Sequence, residues 1–270
     1  MKAFYKGNIT DENLSLPILK NRAFQYGDGM FETMLAYNGQ VKYLAEHMSR
    51  LKQGLDFLDV SIGNNLDHKI LHKTILSLFE KEGKPTYARV KIIAWRASGG
   101  TYAPLNDSSE TIITLEESSQ KFIKEASKVS FCQDVKNIQT GYSKFKSVNA
   151  LQYVVAGLEK RKLELDDVII LDTNGNISEC LTSNIFWVKN GSYFTPSLST
   201  GCIEGVSRNV VIRELGKRNA SVREVECDIK ELLSADHVFT TNASGITHLL
   251  KINTTSFSIC KEIEDVYKPF

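Results

Sequence analysis

Three Asn-Gly pairs, each following a run of strand-forming residues, constrain this chain more than any other feature. They are Asn38-Gly39 after Phe31 to Tyr37, Asn174-Gly175 after Val168 to Thr173, and Asn190-Gly191 after Ile185 to Lys189. A two-residue type I′ turn needs positive φ at both central positions, which Asn and Gly tolerate. The spacing therefore predicts tight hairpins and sheets that are at least partly antiparallel. Helical periods alternate with these hairpins. Leu44, Met48, Leu51, Leu55 and Leu58 recur at steps of four and three, which predicts a helix over 44–58 with one buried face and with His47 and Arg50 turned elsewhere. Leu151, Val154, Val155 and Leu158 predict a second helix burying one face, and Val210, Val211 and Leu215 a third.

Between the strand-like runs Thr111 to Leu115 and Lys128 to Cys132 lies a polar stretch without strong period. It predicts an interdomain connection over 119–126, with an N-terminal domain over 1–118 and a C-terminal domain over 127–270. The fold class is α+β, two domains, with the cleft between them as the natural place for a ligand.

The charge balance points away from polyanions. Lys+Arg number 33 and Asp+Glu 32, a net +1 that supplies no field to steer the chain onto nucleic acid or an acidic membrane. A small molecule is the expected partner. Cys132, Cys180, Cys202, Cys227 and Cys260 are odd in number and scattered without a C-x-x-C pair, fitting neither a disulfide framework nor a zinc site, so no metal is expected. The opening Met-Lys-Ala-Phe-Tyr-Lys lacks the apolar core of a signal peptide, and no apolar run approaches the roughly 18 residues of a membrane span. The expected compartment is a reducing cytoplasm.

Three features suggest chemistry. Lys146 stands just ahead of the second helix, with Asn149 three residues on. A lysine that condenses with an aldehyde must lose its proton, and desolvation favours the neutral amine. Glu179 lies on the return strand of a hairpin between Ser178 and Cys180, and a buried carboxylate there calls for a cationic partner such as a protonated pyridine. Gly205-Val206-Ser207-Arg208 opens the third helix. Free amides at a helix start, with the Ser207 hydroxyl and Arg50 as counter-charge, make a cup for phosphate. Lysine, carboxylate and phosphate cup together are what pyridoxal 5'-phosphate requires.

These residues fall in a fixed order. Asn21 to Thr33, His47-Met48-Ser49-Arg50-Leu51, Lys146-Ser147-Val148-Asn149, Glu179 ahead of Ser183-Asn184-Ile185-Phe186, Thr195-Pro196, and Gly205-Val206-Ser207-Arg208 resemble the class IV aminotransferases, the fold-type IV pyridoxal-phosphate enzymes, over nearly the whole chain. The resemblance implies that Lys146 is the cofactor lysine and proton shuttle and that Glu179 partners the pyridine nitrogen. It implies that Arg50 with Val206 and Ser207 clamps the phosphate, and that the turn at Asn242, Ala243 and Ser244 lies beside phosphate or substrate. Lys144 is the rival for the lysine role, at a spacing to Asn149 that does not fit the family interval. Also implied are a small N-terminal and a larger C-terminal α/β domain with the cofactor between them, and a homodimer with shared active sites. Candidate substrate residues are Tyr26, Arg96 and Tyr142.

Within the family, Gly27-Asp28-Gly29 with Phe31-Glu32-Thr33, and the run Arg89 to Tyr102 with its Ser98-Gly99-Gly100 turn, resemble the 4-amino-4-deoxychorismate lyases. Ala150 after Asn149 departs from the tyrosine of the branched-chain enzymes, and the Arg-x-His pair of the D-amino-acid enzymes is missing. The lyases carry an arginine between that Gly-Gly and the tyrosine. Thr101 occupies the interval here, which leaves Arg96 as the nearest replacement for carboxylate recognition. The resemblance thus implies a lyase releasing pyruvate and 4-aminobenzoate. The alternatives are a transaminase of branched-chain or broad specificity and a non-catalytic pyridoxal-phosphate-binding protein.

Overall fold

A computed structural model describes residues 1–11, 19–119 and 121–266. The chain divides into two compact units, Met1–Gln120 with Phe145–Asn149, and Lys121–Lys144 with Ala150–Pro269.

In the first unit β1 (Lys2–Tyr5), β2 (Asn8–Asp11), α1 (Arg22–Tyr26), β3 (Gly29–Tyr37), β4 (Gln40–Val41), α2 (Leu44–Phe57), α3 (His68–Lys81), β5 (Tyr87–Arg96) and β6 (Ser109–Glu117) follow in order. The strands form one antiparallel sheet ordered β2-β1-β6-β5-β3-β4. Alternation along β3 and β5 turns Met30, Met34, Val90 and Ile92 into a core shared with Leu51 and Leu55 of α2 and Leu71, Ile75 and Leu78 of α3. Gly54 permits the close approach of α2, since a Cβ there would come within 3.0 Å of Met30 Sδ. The first Asn-Gly pair forms the expected turn, with φ of 46° at Asn38 and 78° at Gly39. Its return strand is only two residues long, because the helix takes over at Leu44.

The second unit contains β7 (Ile123–Ala126), β8 (Val129–Asn137), α4 (Leu151–Lys162), β9 (Asp167–Asp172), β10 (Ile177–Cys180), β11 (Asn184–Lys189), β12 (Ser192–Pro196), α5 (Val206–Lys217), β13 (Val222–Val225), α6 (Ile229–Leu233), β14 (His237–Asn242), β15 (Gly245–Leu249), β16 (Lys251–Ile252), β17 (Thr255–Ser256) and α7 (Lys261–Glu264). Two sheets, β10-β9-β8-β16-β17 and β13-β12-β11-β14-β15-β7, share a core that includes Ile169, Ile177, Ile185, Trp187 and Leu249.

Several expectations change. Residue 120 of the expected connection, like the last residues of the span to 270, lies outside the described residues, and Ile123–Ala126 is a strand paired in parallel with β15. Its Lys124 and Glu125 are exposed, as suits a sheet edge. The second Asn-Gly pair is not a type I′ turn. Gly175 is left-handed (φ 88°) but Asn174 is not, because Asp172 Oδ1 accepts the amides of Asn174 and Asn176 at 2.8 and 2.7 Å and holds a longer loop. Asn190-Gly191, with φ of 50° and 72°, follows the rule. The expected buried face of α4 is also reversed: Leu151, Val154 and Leu158 are exposed, while Ala156 and Glu159 are buried.

Candidate active site

In the first unit the site is built on β3. Phe31 N donates to Lys146 O at 2.8 Å, Val148 N donates to Gly29 O at 3.1 Å, and Met30 bridges Ser147, so the Lys146 segment lies along the start of this strand. Phe145 anchors the segment in the core. Gly27, left-handed at the end of α1, leaves room for the segment, since a Cβ there would stand 2.9 Å from Asn149 Cβ. These bonds explain why Phe145–Asn149 packs with the first unit rather than with its neighbours in sequence. Lys146 Nζ lies 4.7 Å from the Phe31 ring centroid.

The next residue along β3 faces α2. Glu32 is buried and takes Arg50 through both arms, Nε to Oε1 at 2.7 Å and Nη2 to Oε2 at 2.6 Å, while His47 Nδ1 lies 2.7 Å from Oε2. Burial alone would raise the Glu32 carboxyl, but the Arg50 charge and the His47 bond hold it below the usual range. Arg50, read from sequence only as a phosphate counter-charge, is therefore oriented by a bidentate bond to Glu32, a residue read from sequence only as part of the Phe31-Glu32-Thr33 motif.

Arg96 proves to be a strut, which corrects its reading as a carboxylate receptor. It is buried, with Nε 3.0 Å from Asp28 Oδ2, Nη1 bonded to Asp59 O, Asn106 O and Asp107 Oδ1 at 3.2 Å, and Nη2 bonded to Leu58 O. Arg22 joins the same Asp28 oxygen at 2.7 Å and also donates to the carbonyls of Gly99, Gly100 and Thr101. Both guanidinium groups are committed to folding the ends of β3 and β5. Tyr26 closes α1 half-buried, its ring 5.6 Å from that of Tyr102 and 4.8 Å from the Arg22 guanidinium.

In the second unit Glu179 is buried on β10. Tyr153 Oη donates to Oε1 at 2.6 Å, Asn137 Nδ2 donates to Oε1 at 3.0 Å, and Ile203 N donates to Oε2 at 3.2 Å. Burial and the Glu179 charge together push the Tyr153 phenol far above its ordinary range and the Cys202 thiol up to about 12. Both groups therefore stay protonated beside a carboxylate that accepts from three donors.

Val206 and Ser207, both buried, form the first turn of α5, and its N-cap Gly205 supplies no side-chain cap. Asn184 organises this end. Its Nδ2 donates to Ile203 O at 2.7 Å, its Oδ1 occupies the space that a Cβ on Gly205 would need, and it pairs across the sheet with Thr241. The two-residue turn of Ala243 and Ser244 follows at once, with Ser244 N donating to Asn242 Oδ1 at 2.9 Å and Asn242 Nδ2 donating to Thr182 O at 3.3 Å. Glu179, the start of α5 and the Asn242–Ser244 turn are thus joined within one unit. Tyr142 lies half-exposed in the turn after β8, its amide bonded to Thr140 Oγ1. Tyr153 and Asn137 carry no sequence signal as partners of Glu179, because only their contacts distinguish them from ordinary polar residues.

The family model for class IV amino-transferases matches residues 29–252. The chain is 27% identical to an aminodeoxychorismate lyase of Vibrio harveyi over 83% of either chain, and 24% identical to a D-alanine aminotransferase of Listeria innocua over 92% of this chain and 88% of that one. Its fold matches the crystal structure of a branched-chain aminotransferase from Thermoproteus uzoniensis with TM-score 0.88, 22% identity, and coverage of 98% and 92%. With the matched span well over half of its length, this chain belongs to the class IV aminotransferase family.

Proposed function

We propose that this enzyme is a pyridoxal-phosphate-dependent lyase that converts 4-amino-4-deoxychorismate to 4-aminobenzoate and pyruvate. Enzymes of the family use pyridoxal 5'-phosphate, and the donor set fits that group. Lys146 offers a primary amine, Glu179 a buried carboxylate already supplied with three donors, and α5 an N-terminus with no side-chain cap. Beside the Asn242–Ser244 turn, Thr241 Oγ1 is buried with no partner among the described residues, a hydroxyl suited to a phosphate oxygen. In this reading Lys146 anchors the cofactor, Glu179 pairs with its ring nitrogen, and Arg50, Val206, Ser207, Asn242, Ala243 and Ser244 serve its phosphate side. When bound, the group supplies an electron sink for proton loss at the amine-bearing carbon.

The chain's own part centres on Lys146. Its neutral amine takes the proton from the ring carbon that carries the substrate nitrogen, the C–O bond to the enolpyruvyl group breaks, and the ring becomes aromatic. Lys146 then returns that proton to the departing enolpyruvate carbon, giving pyruvate, so no water or oxidant is consumed. The observation that carries the lyase reading is the lyase-like Gly27-Asp28-Gly29 turn, seated directly against the Lys146 segment.

Purified enzyme given aminodeoxychorismate is expected to release 4-aminobenzoate and pyruvate in equal amounts, and Lys146→Ala to lose ~10³-fold or more of that rate. No release by cofactor-loaded protein, with transfer of amino groups from leucine, glutamate or D-alanine instead, would replace the lyase with the transaminase. The likeness to aminotransferases favours that second reading. A homodimer in the cytoplasm completes the proposal. Five buried free cysteines suit a reducing compartment, no helix among the described residues is long and apolar enough to cross a membrane, and sedimentation velocity tests the dimer.

A further inference from the structure

The Glu179 carboxylate is the centre of a network whose donors can be assigned one by one. Ser178 Oγ donates to Thr200 O at 3.0 Å, and a carbonyl can only accept, so that hydroxyl in turn takes a hydrogen from Asn137 Nδ2 at 2.9 Å. Gln152 Nε2 donates to Asn137 Oδ1 at 3.4 Å, which agrees with the same orientation of the amide. The Asn137 Nδ2 group therefore faces Glu179 Oε1, at 3.0 Å.

Tyr153 supplies a closer donor to the same oxygen. Its Oη lies 2.6 Å from Oε1, against 3.0 Å for Asn137 Nδ2 and 3.2 Å from Ile203 N to Oε2. Burial and the neighbouring carboxylate keep the phenol protonated, so it donates and does not compete as an anion. A phenol hydrogen bond to a carboxylate at this length belongs to the strong, charge-assisted class. The rest of α4 holds the phenol in place. Glu159, further along the helix, accepts from Cys132 Sγ and from the amides of Gln133 and Asp134 on β8, and Tyr153 reaches β10 while Leu151, Val154 and Leu158 stay exposed.

We infer that Tyr153 is a positioning residue that keeps the proton between Glu179 and the cofactor's ring nitrogen on the nitrogen. The inference rests on the proposed function in one respect, the pairing of Glu179 with that nitrogen, and it holds equally for a lyase and a transaminase. A proton shared by an oxygen and a nitrogen settles on the more basic of the two, and each hydrogen bond donated to Oε1 makes the carboxylate less basic. A proton on the ring nitrogen strengthens the electron sink that the group supplies. Tyr153 acts through Glu179 and takes no proton itself.

The test loads wild type, Tyr153→Phe and Glu179→Gln with pyridoxal phosphate carrying nitrogen-15 in its ring. NMR then reads the ring nitrogen at neutral pH, where protonation displaces a pyridine signal far upfield. Wild type is expected to give the protonated signal and Glu179→Gln the neutral one. Tyr153→Phe, which removes only the hydroxyl, is expected to move the signal toward the neutral value, the ratio of nitrogen-bound to oxygen-bound proton falling about tenfold, as for one hydrogen bond to a charged group. Its kcat is expected to fall by about tenfold with KM within about twofold. A Tyr153→Phe signal identical to wild type, with Glu179→Gln neutral, overturns the inference and leaves the Glu179 pairing intact. A signal unmoved in Glu179→Gln retires the pairing, and the inference with it. A neutral signal in wild type overturns the inference as well. So does a Tyr153→Phe protein that fails to fold or to load the cofactor, which would give the hydroxyl a structural role.

Discussion

Helices α2 and α4 have nearly the same apolar spacing and the opposite burial. In α2 the expected face is inside, with Leu51 at 1% and Leu55 at 0% exposure. In α4 Leu151, Val154 and Leu158 are 69%, 55% and 48% exposed. The difference lies in what each helix meets. The α2 helix covers an apolar stripe of β3, and Met30 slots against Gly54. The α4 helix meets the polar backbone of β8, where the amides of Gln133 and Asp134 and the Cys132 thiol all donate to Glu159, at 3.0 to 3.1 Å. Tyr153, on the same helix, must also reach Glu179. Periodicity marks a helix, but buried polar donors choose which face turns inward, because leaving them unpaired costs more than exposing a few methyl groups.

Five substitutions sharpen this contrast, from the largest expected effect to the smallest. Leu55→Ala is expected to destabilise the protein by about 3 kcal/mol in urea unfolding, the usual cost of a cavity in a closed core. Glu159→Ala is expected to cost about 2 kcal/mol by stranding the Gln133 and Asp134 amides, and a loss under half of that would show that apolar packing orients α4 after all.

The third concerns pH. Burial pushes Asp167, at the start of β9, up to about 6, against the lowering pull of the Val168 and Leu181 amides and of Lys160 on α4. Its folded value lies above its unfolded one, so its stabilising share is complete below about pH 4 and lost as pH rises through 6. Glu159 has the opposite sign. Burial would raise it, but Cys132 and the amides of Asp134 and Gln133 hold it low, so its contribution is present at neutral pH and lost on acidification. Asp167→Asn is therefore expected to flatten the loss of stability between pH 4 and 7 by about 1.5 kcal/mol, read from unfolding midpoints across pH. An unchanged profile would remove Asp167 from the account. Last, Leu151→Ser and Leu158→Ser are each expected to change stability by no more than about 0.5 kcal/mol, and a cost of 2 kcal/mol or more in either would mean that this face is covered.

The same division holds across the molecule. Asn38-Gly39 and Asn190-Gly191 were legible because a type I′ turn depends on two φ angles that the pair itself supplies, whereas Asn174-Gly175 misled because Asp172 binds the loop amides. The family was legible because its motifs stand in order along the chain. Arg96 was not, since the carbonyls that occupy it come from Leu58, Asp59 and Asn106. The partners of Glu179 were equally hidden, because Asn137, Tyr153 and Ile203 converge only when β8, α4 and the loop before α5 are brought together.

The sequence by itself determined what is local or ordered along the chain: turn glycines, helical periods, and the succession of motifs that marks the family. Tertiary structure alone decided which charges are paired and with what. It ties Arg96 and Arg22 to Asp28 and Arg50 to Glu32, and brings Tyr153 and Asn137 to Glu179. The physical reason is that a charge's role depends on its partners and its desolvation, and both are set by residues distant in the chain.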